Sequence, residues 1–168
     1  LLLIPTLLLF GIASAKNQLK DKFRYHWYGL ALVFLFLSID EASSLHERLI
    51  KPMREYSDAG SLFHFAWIIP GIIAVILFGL LFLMFFLHLD RKFKILFFVS
   101  LAVYIGGVIG GEMVSGYYAD SLGLKNFTYA VVASLEESVE MIGASMIIYS
   151  LLKYIEQYLP EGIIFRSS

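Results

Sequence analysis

Seven side chains in this sequence could do chemistry together: Asp40, Glu41, His46, Glu112, Glu136, Glu137 and Glu140. The last three belong to the stretch Ser134-Leu-Glu-Glu-Ser-Val-Glu140, inside an apolar run that begins at Phe127 and continues to about Tyr154. A charged, unpaired carboxylate in apolar surroundings costs several kcal/mol, so such a stretch demands partners. Helical spacing places Glu136 and Glu140 on one face at i,i+4, and Glu137 shares a face with Glu140 at i,i+3. Asp40, Ser43 and Glu47 form a second stripe, with His46 three residues after Ser43 and Glu41 turned about 100° away from Asp40.

Carboxylates with an imidazole and no thiolate suit a mono- or dinuclear iron or manganese site, with zinc, magnesium and calcium ranking below. All seven residues are candidate ligands. An open coordination position there would bind water, O₂ or substrate, which fits redox or hydrolytic chemistry on a hydrophobic substrate. The Glu-x-x-His repeat of di-iron four-helix bundles is absent, because Glu41 and His46 are five apart and the Glu136–Glu140 stretch holds no histidine. Two other uses of the same acids remain open. They could make interhelical hydrogen bonds and arginine pairs, through Arg48 or Arg54, in an accessory or structural subunit of a larger membrane complex. They could instead relay protons or cations in transport. Against transport, the inner half of every expected span lacks titratable groups, and no inverted repeat is visible.

The elements that must position these residues follow from composition. Of 168 residues, 59% are hydrophobic and 16% charged, with a mean hydropathy of +0.77. A soluble domain carries about 25% charged residues, so the expected solvent is lipid. The fold class expected is an all-α integral membrane protein, one polytopic domain of about five transmembrane helices. A net charge of −1 points away from nucleic acid as a partner. The expected partners are the bilayer and other membrane-protein subunits. With no cysteine, disulfides and Fe–S clusters are excluded.

The expected spans cover residues 1–15, 24–48, 62–88, 95–118 and 127–154. The first falls short of the ~20 residues that cross a bilayer. Its Ala13-Ser14-Ala15 end has the form of a signal-peptidase site, but a basic segment follows it, and the chain begins at Leu1 without Met. We expect a first transmembrane helix truncated at its start. After Ile39 the second helix meets no Gly or Pro before Pro52, so helix-compatible sequence continues past Asp40 and Glu41. Pro70-Gly71 predicts a kink in the third. Gly106-Gly107 and Gly110-Gly111 in the fourth, with Gly143 and Ala144 in the fifth, predict close helix approach. The second, fourth and fifth helices should therefore pack around the acids while the third supports them from outside.

Counting rise along each helix puts Asp40, Glu41, Glu112, Glu136, Glu137 and Glu140 at one depth, in the outer half of the membrane. The orientation comes from the basic residues. Lys16, Lys20, Lys22, Arg24, Arg91, Lys92, Lys94, Lys153 and Arg166 fall on one side, against Arg48, Lys51, Arg54 and Lys125 on the other. The positive-inside rule then makes loops 16–24 and 89–94 and the C-terminus cytoplasmic. Trp27, Trp67, Tyr117, Tyr118 and Tyr154, near span ends, are expected as interfacial anchors; His64, at a similar height, is expected as an anchor first, with a ligand or hydrogen-bond role as the alternative.

Overall fold

The computed structural model describes residues 1–45, 48 and 64–160. Among them are five helices and no strand: α1 (Leu3–Gln18), α2 (Arg24–Ser43), α3 (Ile68–His88), α4 (Arg91–Leu122) and α5 (Phe127–Tyr158). Each expected span has its helix. Two of the five, α3 and α4, are long and apolar enough to cross a membrane. The expectation of five spans is thus supported only in this coarser form. The other helices fall short for visible reasons. α1 has 16 residues, α2 carries Arg24, His26, Asp40 and Glu41 near its ends, and α5 carries three glutamates in its first half.

The boundaries depart from expectation at three places. α2 stops at Ser43 because Ser44 takes φ 48°, a left-handed conformation that ends a helix without a glycine. Pro70 is the third residue of α3 and produces no mid-helix kink. In the first turn its missing N–H removes no intrahelical bond. The basic turn shrinks to Leu89-Asp90, since Arg91, Lys92 and Lys94 already belong to α4. Lys94 reaches back there, its Nζ donating to the Leu87 carbonyl at 2.9 Å, one of the carbonyls the end of α3 leaves without an intrahelical donor.

The chain forms two compact units. The first comprises Leu1–Ala42, Phe82–Ser100 and Ala144–Ser168; the second comprises Ser43–Leu81 and Leu101–Gly143. The core of the first is aromatic. Trp27, only 2% exposed, packs its ring 4.7 Å from Tyr154 and 5.0 Å from Phe85. Phe93 and Phe97 close around the same rings. Trp27 and Tyr154 are therefore core residues of this unit and not the outward-facing anchors expected from their places near span ends. Large rings bury much area and pack edge to face, which favours turning them inward.

At one end of this unit the helix termini gather. Phe23, just before α2, lies 4.7 Å from His88 at the end of α3. Lys16 near the end of α1 pairs with Asp21 at 3.3 Å and lies over the rings of Tyr154 and Tyr158. Burial opposes the charge of Lys16, but the Tyr154 hydroxyl and the Asp21 carboxylate outweigh it and hold the ammonium above the ordinary lysine range.

α4 and α5 meet within the first unit through Ser100 and Ser150, both fully buried, with hydroxyls 2.9 Å apart. Each hydroxyl is also within reach of its own helix, Ser100 of the Leu96 carbonyl and Ser150 of the Met146 carbonyl. Removing one serine leaves the other donating to backbone, with no orphaned group. Ser100→Ala is accordingly expected to cost only about 0.5–1 kcal/mol, the usual net worth of a hydrogen bond whose loss orphans no partner. Thermal unfolding in detergent micelles would measure it, and a loss above about 2 kcal/mol would show that the pair does more than tie two helices.

Candidate functional site in the second unit

The acid-bearing part of the second unit is built on a seam of small residues. α4 changes character at Gly106-Gly-Val-Ile-Gly-Gly111, which is wound as a π-helix between the α-helical stretches Arg91–Ile105 and Glu112–Leu122. Such segments recur at functional sites, and glycine tolerates their geometry. A β-carbon added to Gly107 would sit 2.9 Å from Glu140 Cγ and 3.0 Å from the Glu140 backbone nitrogen. One added to Gly111 would sit 2.5 Å from Glu136 Cγ, and one on Gly143 would sit 2.5 Å from the backbone N and Cα of Tyr104.

These contacts fix an antiparallel register: Tyr104 against Gly143, Gly107 against Glu140, Gly111 against Glu136. The steps of three and four residues on each helix are those of two helices packed along a seam. Gly106 and Gly110, the other members of each glycine pair, face open space. The expectation that α4 and α5 approach closely at the glycines therefore holds, through one glycine of each pair.

A second contact comes from the segment before α3. His64 Nδ1 lies 3.3 Å from Asp120 Oδ1. A β-carbon on Gly116 would meet His64 Cβ at 3.2 Å and Phe65 Cδ2 at 3.4 Å. Trp67 Nε1–H donates to Glu112 Oε2 at 2.5 Å. Residues 64–67 thus run along the last turns of α4 as a strap, from Asp120 down to Glu112. Trp67, expected as an interfacial anchor, and His64, for which a hydrogen-bond role is the alternative to an anchor, are both hydrogen-bond partners of acids on α4. The approach to α3 engages Glu112 directly, where the third helix was expected only to support from outside.

The candidate site residues can now be placed. Glu112, Glu136 and Glu140 are half-buried, and Glu137, one position off the seam, is exposed. All four belong to the second unit, whereas Asp40 (half-buried) and Glu41 (exposed) belong to the first. His46 and Glu47 lie outside the described residues. Among the described residues, no Asp, Glu, Lys or Arg is fully buried, and no group of three or more His, Asp or Glu side chains is placed to hold a metal ion.

This overturns the iron or manganese site. The physical reason lies in the seam. The stems of Glu136 and Glu140 lie on the bare backbone of Gly111 and Gly107, and the carboxylate of Glu112 is engaged by an indole. Side chains held lengthwise in a helix interface do not converge on one point as a coordination sphere requires.

A profile described as a domain of unknown function matches residues 1–154, most of the chain. The chain belongs to the DUF8692 family. Neither a curated protein nor a solved structure matches it. In this DUF8692 chain the match takes in the aromatic core of the first unit, the glycine–glutamate seam and the strap on α4.

Proposed function

We propose that this DUF8692 chain is an integral membrane protein that serves as a helical assembly component within the bilayer. Lipid solvates α3 and α4, and the glutamates of the second unit serve helix packing and hydrogen bonding. The observation that carries this reading is α3. It is apolar on every face, with Ile73, Ile76, Leu77, Leu80, Leu81 and Met84 all exposed, and only 11% of its most apolar stretch is buried. A helix that is hydrophobic all round belongs either in a large protein core or in a membrane, and the described residues leave most of this one uncovered. Other membrane-protein helices are the natural further partners of such a surface.

The gathered helix ends of the first unit support the orientation. Lys16, Lys20, Lys22, Arg24, Arg91, Lys92 and Lys94 lie in or beside the turns that join α1 to α2 and α3 to α4, and in this reading that end faces the cytoplasm, together with the chain's C-terminal end.

Because the sequence has no cysteine, single introduced cysteines report topology without background. Cysteine at position 20 or 92 is expected to react with a membrane-impermeant maleimide only after the membrane is permeabilised. Cysteine replacing Lys125 should react on intact cells. Labelling of all three from the same side would overturn the orientation. Release of the unaltered protein by alkaline carbonate would overturn membrane integration itself.

A further inference from the structure

In the first unit a groove of about 260 Å³ runs between α4 and α5, lined by Lys92, Ile95, Leu96, Val99, Tyr149 and Lys153. Its lining is ordered along the helices. Lys92, Ile95, Leu96 and Val99 follow i, i+3, i+4, i+7 and so share one face of α4, while Tyr149 and Lys153 are one turn apart on α5. Both lysines stand at the end of the unit where the basic segments gather. The apolar side chains continue from them for about 10 Å toward Val99 at 1.5 Å per residue. Ile95, Val99 and Tyr149 are between two-fifths and three-fifths exposed, so the apolar floor is open to whatever surrounds the helices.

We infer that this groove is a binding site for one anionic glycerophospholipid, its phosphate held by Lys92 and Lys153 and an acyl chain laid along Ile95, Val99 and Tyr149. This rests on the proposed embedding in a bilayer. Two features select the occupant. The cationic and apolar parts of the groove match the two ends of a phospholipid in order and in direction, which neither a free anion nor a polar peptide would use. Two lysines at one mouth also complement a net negative headgroup and give a zwitterionic one less advantage, and basic pockets between transmembrane helices on the cytoplasmic side bind such lipids. Glu156, which pairs with Lys153 at 2.7 Å, is the one acid in contact with either lysine among the described contacts. It is exposed and stands beside the mouth, outside the residues that line the groove. By sharing Lys153 it moderates the attraction and favours a headgroup of limited charge.

The test uses the full chain purified in a mild detergent and titrated with phosphatidylglycerol or phosphatidylcholine of the same acyl chains, with bound lipid counted by native mass spectrometry. Phosphatidylglycerol is expected to be retained in preference to phosphatidylcholine. The Lys92→Gln, Lys153→Gln double variant should bind it about tenfold more weakly. Lys20→Gln with Lys22→Gln, the same charge change at the same end but outside the groove, should bind as the unaltered chain does. Val99→Trp, which fills the apolar floor without changing charge, should also displace the lipid.

Equal retention of the two lipids by the unaltered chain would overturn the site, as would equal losses in the two lysine pairs. Carbonate extraction of the same proteins separates this from failure of the embedding. A chain that stays in the membrane yet shows no lipid preference has lost the groove proposal alone.

Discussion

Gly143→Ala is expected to destabilise the protein by about 1–3 kcal/mol, the usual cost of forcing a methyl group into a packed interface. Gly110→Ala is expected to leave stability unchanged or raise it by up to about 1 kcal/mol, the helix-propensity advantage of alanine over glycine. The contrast follows from what each new β-carbon meets. At Gly143 it would press on the backbone N and Cα of Tyr104 at 2.5 Å. Backbone cannot rotate away as a side-chain tip can, so α4 and α5 must separate or tilt. At Gly110 it meets nothing within 4 Å.

Gly111→Ala should fall between the two, because its β-carbon meets Glu136 Cγ, which can move, and also Glu136 Cβ at 3.1 Å, which moves less. Stability measured by denaturant titration in micelles, with helix content followed by circular dichroism, decides the matter. Equal effects at positions 110 and 143 would sink the register derived for the seam.

The glycine pairs show how far the sequence alone could go. Gly106-Gly107 and Gly110-Gly111 announce a helix that admits a close neighbour, and that neighbour is α5 as expected. Which glycine of each pair faces it depends on rotation about the helix axis. Adjacent residues stand about 100° apart, and only the packed partner selects between them. The acids failed for the same reason. Counting rise along a helix yields depth, so Glu112, Glu136 and Glu140 could be assigned to one layer, but depth without azimuth cannot distinguish convergence on an ion from side chains laid along a seam.

Other features were harder to read. Ser44 ends α2 by its backbone conformation, and nothing in its residue type or its neighbours signals that. An aromatic residue near a span end reads as an interfacial anchor by default. Trp27 and Tyr154 are instead core, and Trp67 is a donor, because each has a partner far away in sequence. The helices themselves were legible because long apolar runs interrupted by charged and glycine-containing turns leave little freedom in an all-α chain.

The strap before α3 leads to the other large effect. Trp67→Phe keeps an aromatic ring, though a smaller one, and removes the indole N–H that donates to Glu112 Oε2. Where Glu112 is ionised, a hydrogen bond to it contributes about 1.5–3 kcal/mol, and the substitution is expected to cost at least that much. Glu112→Gln retains an acceptor oxygen, so the indole keeps its bond as a neutral one worth about 0.5–1.5 kcal/mol. Trp67→Phe made in the Glu112→Gln background should therefore cost less than in the unaltered chain, by about 1 kcal/mol. That difference is the coupling a double-mutant cycle isolates, because packing lost with the indole cancels between its two sides.

The same contact joins the segment entering α3 to the first residue beyond the π-wound glycines. Trp67→Phe should consequently increase hydrogen exchange of the Ala66–Ile69 amides before any global loss of structure. A coupling indistinguishable from zero, with exchange in this segment unchanged, would mean that packing of residues 64–67 on Gly116 holds the strap in place without the bond between Trp67 and Glu112.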